Sequence, residues 1–313
     1  MKAIILKDFG GVDNLVIKEI PIPVLSENEV LVKVMAISVN PVDVKTRAGK
    51  SLAAKLKAFD PVILGWDISG IVTESRSPLF KKGDEVFGMV NFPGHGQAYA
   101  EYVAAPAAHL AVKPGNITHT EAAAATLAAL TAFQMLTRHF IITKGQKVLI
   151  HAAAGGVGHY AVQLAQHLGA YVIGTSSAAN RDFVMALGAN EHIDYKSTRF
   201  EDVVENIDFV LDTIGGDNIE PSLKVIKKGG TLISIVSGKS ETVTEKAAES
   251  GIIGKFCLVE SSGEDMNALA ALLENGSIKS HVSQIFPFPE MAKVHLQIES
   301  GTTKGKLIVL TNN

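Results

Sequence analysis

A chain of 313 residues with 47% hydrophobic content is long enough to bury two cores. Its formal net charge of -3 gives no basic footprint, which argues against nucleic acid as a partner. The single cysteine, Cys257, excludes an intramolecular disulfide and a Cys-rich zinc module, and no run reaches the roughly eighteen uninterrupted apolar residues of a membrane span.

The opening MKAIILKDFG reads as a short strand rather than a signal peptide, so a soluble, cytoplasmic protein is expected. Up to about residue 118 the pattern is one of short β runs: KAIILKDF, LVIKEIPIP, EVLVKVMAISV and ISGIVTES, punctuated by Pro21, Pro23, Gly70 and Gly83. This predicts an all-β domain, a partly open barrel. Asn40-Pro41-Val42-Asp43 follows a strand directly, which suits a site, although Asn before Pro with Asp soon after is also ordinary turn chemistry. Trp66 and Asp67 read equally well as core packing around a satisfied carboxylate. KKGDEVFG is a turn into a strand, with Asp84 a turn residue.

Residues 119 to 139 are alanine-rich and helical, a bridge into the second half. There the chain is organised around KVLIHAAAGGVGHYAVQLAQHLGAYVIGT. Lys147 to His151 is a buried strand, and Val157, Ala161, Leu164, Ala165 and Leu168 have helical spacing. Gly169 ends the helix, and Tyr171 to Thr175 is a second strand, giving a right-handed βαβ unit. The turn has the G-x-G-x-x-G spacing with Ala153 in place of the first glycine. Gly155, Gly156, Val157 and Gly158 then bring backbone N–H groups to a pyrophosphate at the helix N-terminus; the plainer reading is a tight strand-to-helix turn.

Which dinucleotide is read at the end of the second strand, where an NAD site calls for a carboxylate. This chain offers Thr175, Ser176 and Ser177, with Arg181 one turn later; the first acid, Asp182, lies inside the next helix. Hydroxyls and a guanidinium suit a 2′-phosphate, which predicts NADPH. The alternative is that the serines cap a helix and Arg181 is a solvated charge.

Strand and helix alternate through EHID, IDFVLDTIGG, residues 218 to 226, GGTLISIVSG and KFCLVE, which predicts a doubly wound parallel sheet in an α/β chain. Ligands bind beyond the carboxyl ends of such strands, and this brings Thr213, Ile214 and Gly215, with Val236, Ser237 and Gly238, to the cofactor's side. Residues 263 to 275 and 289 to 300 are amphipathic helices, and GKLIVL reads as a strand returning to the first domain.

The set Asn40-Pro41-Val42-Asp43 with Arg47 and Gly49, Gly65-Trp66-Asp67 with Gly70, Gly83-Asp84, and Ala100-Glu101-Tyr102 resembles the medium-chain dehydrogenase/reductase superfamily. Thr131-Ala132, Ala152-x-x-Gly155-x-x-Gly158 and Gly305-Lys306 extend the resemblance nearly end to end, and point to the zinc-free quinone oxidoreductase branch that includes zeta-crystallin. The resemblance implies a GroES-like β domain over 1–118, completed by 260–313, and a Rossmann domain over 119–259. It implies that Asn40 contacts nicotinamide or substrate, that Thr131 lies near the cofactor, and that Tyr195 joins Ser176, Ser177 and Arg181 around the 2′-phosphate. Val236, Ser237, Cys257 and Val259 would edge the nicotinamide pocket, and the chain would be a homodimer. Lys45 stands where bacterial relatives often carry an active-site tyrosine, either as a proton donor or as a solvated lysine. Asn40, Lys45 and Asp43 are therefore the catalytic candidates.

Zinc relatives hold their metal with a cysteine where this chain has Asn40 and a histidine where it has Trp66, so no metal is expected. Without a Lewis acid the expected substrates are already electrophilic, quinones or α,β-unsaturated carbonyls, reduced by hydride from NADPH. Two other readings are a zinc-type alcohol dehydrogenase, which the missing ligands disfavour, and an NADPH-binding structural or regulatory protein with little turnover.

Overall fold

The computed structural model describes residues 1–240 and 242–311. The chain separates into two compact units, Met1–Leu130 with Glu260–Asn313, and Thr131–Val259.

The first unit holds β1 (Lys2–Leu6), β2 (Leu15–Glu19), β3 (Glu29–Val39), the short helices α1 (Pro41–Arg47) and α2 (Ala53–Leu56), and β4 (Val62–Ile63). It continues with β5 (Asp67–Ser75), β6 (Glu85–Met89), β7 (Tyr102–Pro106), β8 (Leu110–Val112) and α3 (His119–Ala124). Helix α4 (Leu127–Gln134) carries the division between the units, at Leu130 and Thr131, inside the alanine-rich segment rather than before it. That segment is not one helix: Ala125 and Thr126 interrupt it, and it closes on a wider π-type turn at Met135–His139. Thr118 starts it, accepting from the Glu121 N–H while the Glu121 carboxylate accepts from the Thr118 N–H.

The second unit runs β9 (Lys147–Ile150), α5 (Gly158–His167), β10 (Tyr171–Ser176), α6 (Arg181–Ala186), β11 (Glu191–Asp194), β12 (Ile207–Asp212), α7 (Ile219–Val225), β13 (Ile226–Ser234), α8 (Val243–Glu249) and β14 (Ile253–Phe256). All pairings are parallel, in the order β11-β10-β9-β12-β13-β14. The order reverses between β9 and β12, the topological switch point of a doubly wound sheet. The final strand lies at Ile253–Phe256, starting and ending earlier than KFCLVE suggests, with Cys257 to Glu260 outside it. Leu149, Ile173, Val210 and Leu232 pack with residues of α7 and α8 into one apolar core.

The chain then returns to the first unit as α9 (Gly263–Glu274), β15 (Val282–Pro287), α10 (Met291–Glu299) and β16 (Lys306–Leu310). β16 pairs antiparallel with β3, Leu307 opposite Val39, inside a sheet ordered β15-β16-β3-β5-β6-β8, with β7 also on β3. β1 joins β2 and β4 in a separate three-stranded sheet. The returning GKLIVL strand is therefore a member of the first unit's main sheet. Among the described residues no helix is long and apolar enough to cross a membrane.

The β9-to-α5 turn shows why one of its glycines is obligatory. A Cβ on Gly158 would lie 2.2 Å from the Ala152 carbonyl oxygen and 2.8 Å from the Ala153 Cα, both backbone. A Cβ on Gly155 would meet the same carbonyl oxygen only at 3.2 Å. Gly158→Ala should therefore cost about 2 kcal/mol or more of stability, and Gly155→Ala less than about 1 kcal/mol, measured by denaturant unfolding; equal losses would contradict the close approach.

Candidate functional site

In the second unit the turn after β9 is shaped from within. Ala152 adopts φ +47, its carbonyl accepts from the Gly155 N–H at 2.8 Å, and the Ala153 N–H donates to Thr175 O at 2.8 Å. Among the described residues, the N–H groups of Gly156, Val157 and Gly158 have no backbone acceptor. Donors at the start of a ten-residue helix can accept an anion, with the helix dipole acting in the same sense.

Beneath the turn lies a buried polar layer that sequence patterning does not reveal. His151, at the end of β9, bonds to Thr175 Oγ1 at 3.1 Å through Nδ1 and to Ser222 Oγ at 2.9 Å through Nε2. Burial pushes its pKa down to about 4, so it is neutral. Asp212, ending β12, accepts from the N–H groups of Ile214 and Gly215 and from Ser234 Oγ, which fixes the loop after the strand. Ile214 is exposed there, while Val236 and Ser237 are half-buried after β13. Cys257 and Val259 are buried; the Cys257 N–H donates to Ser234 O, and burial raises the thiol pKa. Thr131 is 3% exposed on α4.

At the end of β10, Ser176 is buried, Ser177 half-buried, and Arg181 and Tyr195 are exposed. Ser176 Oγ lies 2.7 Å from His192 Nε2, and the Asn180 amide donates to Ser177 Oγ at 3.3 Å. His192 has its pKa lowered by burial and then by the Arg181 guanidinium. A carboxylate is present after all: Asp194 ends β11 opposite Ser176, with Oδ1 accepting from the Ala178 and Lys196 N–H groups and Oδ2 from Ser197. Sequence distance from the glycines hid it, because a parallel neighbour strand delivers it.

In the first unit, Asn40 caps α1. Its N–H donates to Asp43 Oδ2 at 2.6 Å, and Pro41 takes the first helical position. The Asn-Pro-Val-Asp stretch is thus a helix start rather than a simple turn, and Asp43 is a buried cap. The Asn40 amide donates to Asp67 Oδ2 at 2.8 Å, the Lys306 ammonium donates to Asn40 Oδ1, and Asp67 Oδ1 accepts from the Leu127 N–H at 3.0 Å. All four side chains are buried. Burial raises Asp43 to about 7 and Asp67 to about 6, against the opposing pull of Lys306, and lowers Lys306. Tyr99, pushed well above its ordinary pKa by burial and by Asp43, lies 3.0 Å from His295 Nε2, and Arg47 pairs with Glu299. Lys45 is half-buried on α1.

A metal does not fit this cluster. Asn40 has its amide committed to Asp67 and Lys306, Trp66 donates its indole N–H to Gly94 O, and the ammonium already supplies the local positive charge. Among the described residues no three His, Cys, Asp or Glu side chains are grouped as metal ligands.

A doubly wound sheet with an open diphosphate cradle, together with a β unit carrying a buried carboxamide cluster, defines a nicotinamide-dependent dehydrogenase or reductase. Residues 26–115 match the alcohol dehydrogenase GroES-like domain and 187–309 the zinc-binding dehydrogenase family. The chain is 34% identical to the NADPH-dependent alkenal/one oxidoreductase of Arabidopsis thaliana and 32% to the 2-methylene-furan-3-one reductase of Solanum lycopersicum, each over 99% of this chain and 79% of the relative. It belongs to the medium-chain dehydrogenase/reductase superfamily, in the quinone oxidoreductase branch. Among solved structures it is similar to the quinone oxidoreductase of Coxiella burnetii, with a TM-score of 0.95, 36% identity, and coverage of 100% of this chain and 99% of that one.

The raised carboxyls carry a sign. A folded-state pKa above the unfolded one means that stability present near pH 4 is lost as pH rises towards 7. Asn at position 43 can still accept the Asn40 N–H but does not ionise. Wild type should therefore lose stability relative to Asp43→Asn as pH rises from 4 to 8, by on the order of a few kcal/mol. Parallel unfolding curves across that range would show that Asp43 does not titrate there.

Proposed function

We propose that this protein is an NADPH-dependent reductase that transfers hydride to quinones or α,β-unsaturated carbonyls without a metal. The observation that carries the reading is the set of unpaired N–H groups of Gly156, Val157 and Gly158 at the start of α5, with the hydroxyls of Ser176 and Ser177 and the Arg181 guanidinium at the end of β10. The first group holds the diphosphate. The second holds the 2′-phosphate, with Tyr195 at its edge; Asp194 stays ionised and accepts from its own loop, so Arg181 must outweigh its charge for a 2′-phosphate to bind. Thr131, Ile214, Val236, Ser237, Cys257 and Val259 line the nicotinamide side.

The nicotinamide supplies the hydride. Asn40, itself buried, donates to the substrate oxygen where negative charge develops. Asp43 supports Asn40 from beneath as its cap, so it acts through the helix start rather than on substrate. Because no cation polarises the carbonyl, the substrate must bring its own electrophilicity, and names of relatives such as alkenal/one oxidoreductase and quinone oxidoreductase agree with that requirement. The proton comes from water, with Lys45 the side-chain candidate on α1. The cytoplasm is the expected compartment, where a lone buried cysteine stays reduced.

Loss of absorbance at 340 nm with 1,4-benzoquinone and 2-hexenal, unaffected by a chelator, tests the reaction. Cofactor binding without turnover across such a panel would favour a structural role instead. Arg181→Ala should raise KM for NADPH about tenfold, the effect of losing roughly 1.4 kcal/mol, with KM for NADH unchanged. A wild-type preference for NADH would remove the 2′-phosphate assignment. We also propose a homodimer through the β14 edge, where Ile253, Phe256 and Leu258 are exposed. Light scattering should give twice the mass of one chain for wild type and a single-chain mass for Phe256→Glu.

A further inference from the structure

Lys306 is 3% exposed and opens β16, whose antiparallel register with β3 places Leu307 opposite Val39 and so brings the lysine beside Asn40. Its ammonium donates to Val39 O at 3.2 Å and to Asn40 Oδ1. On the other side the Asn40 amide nitrogen donates to Asp67 Oδ2 at 2.8 Å, and Asp67 follows Trp66, whose indole is tied to Gly94 O.

These partners leave the carboxamide one orientation. An ammonium only donates and must face the amide oxygen; an ionised carboxylate only accepts and must face the amide nitrogen. A flipped amide would set donor against donor and acceptor against acceptor in a buried, low-dielectric cluster. After both bonds are made, one N–H of Asn40 remains uncommitted, and at 1% exposure bulk water scarcely competes for it.

We propose that Lys306 is a positioning residue for hydride transfer: with Asp67 it clamps the Asn40 carboxamide so that its second N–H is the donor presented to the substrate oxygen. The inference rests on the reading of Asn40 given above. In this role Lys306 acts through Asn40, to whose carboxamide oxygen its ammonium donates. Its burial is costly for an ammonium, and the nearby Asp43 and Asp67 charges offset that cost.

The test is a double-mutant cycle with Asn40→Ala and Lys306→Met, assayed with NADPH and both 1,4-benzoquinone and 2-hexenal. Lys306→Met should lower kcat about 10- to 100-fold while KM for NADPH stays within about twofold, and should add less than about twofold in the Asn40→Ala background. Lys306→Arg, which keeps a donor, should recover part of kcat. If Lys306→Met does not fold, Asp67→Asn provides the same cycle, since an amide there can accept from the Leu127 N–H only by turning its own NH2 towards Asn40. Full kcat in Lys306→Met alongside a deficient Asn40→Ala, or losses that multiply in the double variant, overturns the clamp alone. Full kcat in Asn40→Ala overturns the role of Asn40 as donor, and the clamp with it.

Discussion

The contact between the Lys306 ammonium and the Asn40 carboxamide ties the two ends of the first unit to its chemistry. One partner opens the last strand and the other follows β3, so the bond exists only if β16 is zipped onto β3 in the observed register. A slip of one residue would turn Lys306 to the other face of the sheet and take the ammonium away from the Asn40 carboxamide oxygen. The same cluster explains how two aspartates persist among apolar strands: one ammonium and several N–H donors compensate them, at the cost of carboxyl pKa values raised well above their ordinary range.

In the second unit the governing constraint is the approach of the α5 start to the turn after β9, at Gly158, which leaves no room for a side chain. At that helix start three N–H groups have no backbone acceptor among the described residues. The His151, Thr175 and Ser222 layer and the Asp212 loop knot hold the strand ends around it, without exposing any ionised group. The strand ends around the helix start are thus tied together by buried hydrogen bonds, and the donors left at that start are backbone groups.

Much of this was legible in the residue pattern. β3, β11 and the β9-α5-β10 unit fall where periodicity and glycine spacing put them, and GKLIVL pairs as a returning strand should. The Asn-Pro-Val-Asp stretch was harder, because the residues that favour a turn are also those that cap a helix; only the hydrogen bond from the Asn40 N–H to Asp43 separates the two. Asp194 and His192 escaped notice because parallel pairing, rather than sequence distance from the glycines, sets them beside Ser176. Strand β15 and helix α8 carry too little periodic contrast to stand out.

The sequence by itself determined the local chemistry: a strand-glycine turn-helix unit, and hydroxyls followed by an arginine after the second strand of that unit. These follow from short-range sterics and residue type, which act over a few positions. Tertiary structure alone decided which way the Asn40 amide points, which carboxyls are pushed towards neutrality, and that Lys306 is the cation beside them. Those outcomes depend on residues as far apart as 40 and 306 sharing one dry cluster, and a charge's energy there is set by neighbours that strand register brings in.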